Sequence, residues 1–192
     1  NSAILDNTGP SIKLEDSLNI FENTSFITHL TAEDISPLNW TISGGTYAGL
    51  FIIKDDQLFF KNPPNFEYLQ GSPSNNSYQI EITATDQLGH QTTHTLTIEV
   101  ANKNEAPSYF QGEYRVYYVA LGADSASIVA QNFFHDPDAD PLRLSKSNGQ
   151  LPTGVSINNT TGKLSGIVSQ EGEFTATIKA VDTNGLSIEQ TM

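Results

Sequence analysis

The stretch "YQIEITATDQLGHQTTHTLTIEV", residues 78–100, carries a plain strand signature. Polar and apolar residues alternate along "YQIEITA" and again along "HTLTIEV", with β-branched and aromatic types frequent. That period of two marks half-buried strands. Short segments of the same kind fill the rest of the chain. The first half has "LNIF" (18–21), "FITHL" (26–30), "NWTIS" (39–43), "LFII" (50–53) and "LFF" (58–60). The second half has "EYRVYYV" (113–119), "ASIVAQNF" (126–133), "LRLSK" (142–146), "VSIN" (155–158), "KLSGIV" (163–168), "EFTATIKAVD" (173–182) and "LSIEQ" (186–190). Turn residues separate them: "SGG", "NPPN", "GSPSNN", "NNTTG" and "DTNG". No convincing helix is read. About seven strands per half suit an immunoglobulin-like sandwich of about 100 residues.

An internal repeat divides the chain. "ITATDQLG…LTIEV" in the first half is echoed by "IKAVDTNGLSIEQ" in the second, with Asp86 and Asp182 as anchors. "VANKNEAP", residues 100–107, is polar and ends in proline, as linkers often do. The sequence therefore predicts an all-β chain of two tandem sandwiches, residues 1–102 and 103–192.

Composition narrows the chemistry. The 192 residues include 22 acids and 9 bases, for a net charge of −13. Nucleic acid and anionic membrane surfaces would repel such a chain. No apolar run is long enough for a membrane-spanning helix, so direct membrane insertion is not expected. Cysteine is absent, which excludes disulfides and thiolate sites. The ends at "NSAILDN" and "SIEQTM" read as those of a segment from a longer polypeptide. No nucleophile elbow, zinc-protease motif, P-loop or dinucleotide fingerprint is present, so no catalytic residues are expected.

The densest acidic motif is "FFHDPDADPLRL", residues 133–144. Asp136, Asp138 and Asp140 are separated by single residues. They either face water or share a cation, and the segment alone fits both. It is not an EF-hand loop, because Pro141 stands at the sixth position and Ser147 at the twelfth.

Several motifs together carry a family resemblance. "FENT" (21–24), "ISGG…LFII" (42–53), "NPPNFE" (62–67), "ATD" (84–86) and "NKNEAP" (102–107) make the first half resemble a cadherin domain of the bacterial kind. "DPDADPL" (136–142), "LPTGVSINNTTGKLSGIVSQEGEF" (151–174) and "AVDTNGLS" (180–187) make the second resemble a dystroglycan-type cadherin-like domain. The resemblance implies Ca²⁺ where one domain meets the next. Carried over residue by residue, it assigns Glu22, Asn65, Glu67, Asn104, Asp136, Asp138, Asp140 and Asp182 as ligands. Asn65 stands where the family has an aspartate, so one charge is lost. A second cluster is expected from Asp34 and Asp86 at the other pole of the first domain. The implied role is a calcium-stiffened adhesion or spacer module of an extracellular cell-surface protein. Its partners would be neighbouring domains of the same polypeptide, with carbohydrate or protein on another surface. The alternative is a module that itself recognises a carbohydrate or a peptide.

Other residues have plainer readings. His90 and His94 are expected as exposed strand residues, since four residues of strand span about 13 Å and cannot share a metal. Trp40 is expected in the core. "YRVYY" (114–118) is expected to be a strand with one core face. Glu171 and Glu173 are expected as surface acids. "NTS", "NWT", "NNS", "NNT" and "NTT" fit the glycosylation pattern, which Asn-rich turns also produce by chance.

Overall fold

The computed structural model describes residues 6–68, 75–110, 117–125 and 128–192. The chain divides into two compact units, residues 1–103 and 104–192. Both are immunoglobulin-like β structures.

Unit one holds β1 (Ser11–Ile12), β2 (Ser17–Phe21), β3 (Phe26–His29), β4 (Ala32–Glu33), β5 (Asn39–Gly44), β6 (Phe51–Lys54), β7 (Gln57–Phe60), β8 (Ser77–Thr85) and β9 (Gln91–Ala101). One sheet runs β2-β9-β8-β5, the other β3-β7-β6, and β1 pairs with β4. β2 lies parallel to β9, and the remaining neighbours are antiparallel. The opening stretch supplies β8 and β9, the central strands of the first sheet. The alternation does what its period requires. Tyr78, Ile80, Ile82 and Ala84 of β8 and Leu96 and Ile98 of β9 are fully buried. They share one core with Ile27, Phe51, Leu58 and Phe60 of the second sheet. Each buried aliphatic side chain contributes about 1.5–3 kcal/mol. Trp40, on β5, belongs to this core as expected.

The turn "SGG" is fixed sterically. Gly45 has φ +100°, and a Cβ there would lie 2.6 Å from both the Gln79 carbonyl oxygen and the Ile80 Cα. Both obstacles are backbone of the neighbouring strand β8, which cannot swing aside. Gly45→Ala is expected to destabilise unit one by about 2–4 kcal/mol, from strain plus overpacking. Urea denaturation checks this; a loss under about 1 kcal/mol would contradict it.

Unit two holds β10 (Ser108–Tyr109), β11 (Phe134–His135), β12 (Arg143–Gly149), β13 (Ser156–Ile157), β14 (Leu164–Ser165), β15 (Ala176–Val181) and β16 (Ser187–Thr191). The main sheet runs β12-β15-β16, and β10-β11 and β13-β14 are short pairs. Leu144, Ala176, Ile178 and Ala180 from this sheet pack with Ala130, Phe133, Phe134 and Leu142.

Some expectations change. "ASIVAQNF" forms no strand among its described residues. It contains a 3-10 turn at Ala130–Phe133, and only an isolated bridge from Val129 to Lys163 pairs it. Tyr117 and Tyr118 lie outside any strand, and Tyr118 is 95% exposed. The remainder of "YRVYY", residues 114–116, lies outside the described residues, as do residues 71–74 of the "GSPSNN" turn.

Candidate metal centre

The site is built on a turn that recurs three times among the described residues. Asp86 follows β8, and its Oδ1 accepts the N–H groups of Leu88 and His90, both at 2.8 Å. Asp182 follows β15, and its Oδ1 accepts those of Asn184 at 2.9 Å and Leu186 at 2.8 Å. In each, the aspartate N–H bonds the carbonyl four residues on, at 3.1 and 3.0 Å. A glycine at the fourth position takes positive φ, +91° at Gly89 and +92° at Gly185. This is the physical content of the sequence repeat: aspartate caps a turn that only a left-handed residue can close. The loop "DPDAD" is the third copy. Asp136 Oδ1 accepts the N–H groups of Asp138 at 3.0 Å and Asp140 at 3.3 Å. Ala139 occupies the left-handed position with φ +60°.

Within unit two these turns gather the predicted residues. Asp182 is buried, and its Oδ2 accepts the Asn104 amide at 2.8 Å. Asp140 Oδ2 accepts the Thr183 hydroxyl at 2.6 Å and the Asn184 amide at 3.2 Å. Asn184 also donates to Asn104 Oδ1. Asp138 Oδ2 accepts the Glu105 N–H at 2.7 Å. Asn104, Asp136, Asp138, Asp140 and Asp182 thus form one hydrogen-bonded neighbourhood. Two buried oxygens in it, Asp136 Oδ2 and Asp138 Oδ1, have no hydrogen-bond donor.

The charges follow from these contacts. Burial pushes the Asp136 carboxyl up. The N–H groups of Asp140 and Asp138 pull it down, but the like charges of Asp140 and Asp138 push up again, and the net shift is upward. Burial would raise Asp182 as well. There the Asn104 amide and the N–H groups of Leu186, Asn184 and Gly185 outweigh it and hold the carboxyl below its usual range.

In unit one the residues near the linker are arranged differently. Glu22 is fully buried. Its Oε2 accepts the Phe66 N–H at 2.8 Å and its Oε1 the Lys103 N–H at 3.0 Å. One oxygen of Glu67, an exposed residue, lies within 4.8 Å of one of Glu22. Asn65 Oδ1 caps the Tyr68 N–H at 2.6 Å.

The residues of the second expected pair, Asp34 and Asp86, each make local hydrogen bonds. Asp34 Oδ1 closes a local turn with the Ser36 N–H at 2.8 Å and hydroxyl at 2.9 Å. Asp86 falls in a group with Asp6 and His90. The histidines differ from expectation. His90 precedes β9, and its Nδ1 bonds Asp86 Oδ2 at 2.7 Å. His94 sits on β9, half-buried, 3.2 Å from the Glu15 carbonyl. Sequence reasoning missed Asn184, Thr183 and His90. The only signal for them was their place in the two repeated turns. Glu171 and Glu173 are exposed.

Comparison with known proteins agrees with this architecture. A sequence family described as "Putative Ig domain" matches residues 114–192. No curated protein matches the chain. Among solved structures, the human Desmocollin-1 ectodomain superposes with a TM-score of 0.59 at 20% identity, over 95% of this chain and 39% of that one. Mouse Cadherin-23 EC22-24 superposes with a TM-score of 0.54 at 15% identity, over 96% of this chain and 65% of that one. The chain therefore spans less than two thirds of either structure. What it shares with them is the fold: a cadherin-like, immunoglobulin-like β architecture.

Proposed function

We propose that this chain is a calcium-binding adhesion or spacer module of a larger extracellular cell-surface protein, non-catalytic, in which Ca²⁺ stiffens the joint between its two units. The reading rests on one observation above all: Asp136 Oδ2 and Asp138 Oδ1 are buried carboxylate oxygens without donors. Burying charge without compensation is costly, and a cation removes that cost. The donor set suits Ca²⁺, which takes six to eight oxygens from carboxylates, amides and carbonyls. The fold shared with ectodomains of the cadherin type supports the extracellular setting.

In this reading Asp136, Asp138, Asp140, Asp182 and Asn104 supply unit two's share. Glu22, Glu67 and Asn65 supply unit one's share. Lys103 is tied to Glu22, and the next residue, Asn104, is tied to Asp182. Ca²⁺ bound by both sets would neutralise their mutual repulsion and remove freedom at the 103–104 connection. A second reading, recognition of a carbohydrate or a peptide, draws on exposed aromatics such as Tyr118.

Asp136→Asn gives a test with two signs. A carboxyl raised above its ordinary value of 3.8 favours the folded state while protonated, and that contribution is lost as pH rises through the raised value. In chelator at pH 7, Asp136→Asn is therefore expected to raise the melting temperature by a few degrees. At pH 3 the difference should vanish, since both side chains are then neutral. The same variant should weaken calcium binding by about tenfold or more, because a charged ligand is lost. A variant that binds calcium like the parent would contradict the assignment.

A further inference from the structure

The sequence holds two Asn-Gly steps, Asn148-Gly149 and Asn184-Gly185, and both lie in unit two. All four residues are exposed. Both glycines take a left-handed backbone, with φ +69° at Gly149 and +92° at Gly185. Their asparagines are held differently. The Asn184 amide donates to Asp140 Oδ2 at 3.2 Å and to Asn104 Oδ1, and its backbone N–H donates to Asp182 Oδ1 at 2.9 Å. Asn148 Nδ2 meets no acceptor among the described residues. Its Oδ1 accepts the N–H of Gly149 itself, at 2.8 Å.

The fold requires glycine at 149. β12 is an edge strand of its sheet, and its register with β15 shifts between Lys146 and Asn148. A Cβ at Gly149 would lie 2.1 Å from the Thr175 carbonyl oxygen and 3.0 Å from the Ala176 Cα. A left-handed glycine beside such a shift lets a strand take up an extra residue. Packing therefore fixes, directly after an exposed asparagine, the residue whose nitrogen is least shielded from its neighbour's side chain.

We infer that Asn148 is a site of spontaneous deamidation in the folded protein, whereas Asn184 is protected. The Gly149 nitrogen gives its proton to solvent and attacks Asn148 Cγ. The Cγ–Nδ2 bond breaks, Nδ2 takes up a proton and leaves as ammonia, and a succinimide ring closes. Water then opens either imide C–N bond, which leaves aspartate or isoaspartate. Amide and water thus become carboxylate and ammonium, with no oxidant, reductant or enzyme.

The surroundings separate the two steps. The Gly149 nitrogen already touches the oxygen borne by the carbon it attacks, and a held contact replaces a chance encounter. The Lys146 ammonium lies 3.0 Å from the Gly149 carbonyl oxygen, and a cation there favours the anion formed at the nitrogen. The Gly185 N–H instead faces the Asp182 carboxylate, and a neighbouring anion opposes loss of that proton. The leaving nitrogen of Asn184 is also tied to two acceptors, while that of Asn148 is open to water. β12 starts at Arg143, on the Asp140 side, and Asn148 sits near its other end. The reaction is therefore independent of the calcium reading.

The test incubates the full chain in neutral buffer at physiological temperature. Each asparagine is followed by peptide mass spectrometry, and isoaspartate is measured by enzymatic methylation. Asn148 is expected to convert to a mixture of aspartate and isoaspartate, and Asn184 to react about tenfold more slowly or less. In urea, where neither set of contacts survives, the two steps should convert at similar rates. Asn148→Gln should remove the isoaspartate signal of the folded chain. An Asn148 that keeps its amide in the folded chain while both convert in urea would overturn the site. So would equal conversion of the two in the folded chain, or an isoaspartate signal that survives Asn148→Gln.

Discussion

Glu22→Ala is expected to destabilise unit one by about 3–5 kcal/mol in the absence of calcium. Glu22 is an acid with no exposed surface, and each of its oxygens holds one backbone N–H. Hydrogen bonds to a charged group contribute about 1.5–3 kcal/mol apiece, and both are lost. The two donors come from segments distant in sequence, Phe66 in the "NPPNFE" loop and Lys103 at the end of the unit. The side chain therefore anchors both the loop and the chain's exit to the end of β2. Asn23, with φ +60°, and the Asn23 N–H to Pro64 carbonyl bond at 2.8 Å belong to the same corner. Glu22→Gln keeps the shape and one acceptor oxygen, so about half that loss is expected. Urea denaturation in chelator, followed by a probe specific to unit one, measures both. A loss below about 1 kcal/mol for Glu22→Ala would show that the anchor is dispensable.

Saturating calcium is expected to raise the melting temperature by on the order of 10 °C. Extracellular sites have dissociation constants of about 0.1–1 mM. Binding only the folded state at a hundred times that constant adds about 2.7 kcal/mol. For domains of 60–100 residues, each kcal/mol moves the midpoint by about 4–8 °C. Mg²⁺ should substitute poorly, because it demands compact octahedral coordination and sheds its waters reluctantly. The gain should vanish on chelation and return on adding calcium. Identical melting curves in chelator and in excess calcium would remove the basis for the proposed function.

The strands of the first unit were legible because its sheets obey the alternation closely. Tyr78, Ile80, Ile82 and Ala84 recur every second residue, and all face one core. The second unit was harder to read. Val129 makes only an isolated bridge, and Ala130–Phe133 coil into a turn although the composition suits a strand. There burial of Ala130 and Phe133 in the core overrides propensity. The repeat of Asp86 and Asp182 was visible in sequence, but its cause was not. It lies in hydrogen bonds from Leu88, His90, Asn184 and Leu186, whose side-chain identities do not matter to the cap. For the same reason Ala139, in place of glycine, hid the third copy of the turn. His90 was misread because spacing along a strand was applied to a residue that precedes the strand. Asn184 was missed because one amide can bind two distant partners, Asp140 and Asn104, that no local motif reveals.

In the proposed function acids of both units serve one calcium event, and a double-mutant cycle is the sharpest check of it. Calcium affinity would be measured by calorimetry for the parent, Asp138→Ala, Glu67→Ala and the double variant. Asp138 lies in the "DPDAD" loop of unit two, and Glu67 lies beside the Glu22 anchor of unit one. If both belong to one cluster, each single change weakens the same event, and the double variant loses less than the sum of the two. Small-angle scattering on the same samples should show the parent stiffen with calcium and the variants stiffen less. Asp34→Ala, whose carboxylate closes its own turn with Ser36, should leave both readings at parental values. Strictly additive losses, with scattering indifferent to calcium, would mean that the two acids act apart and that the joint is not a calcium site.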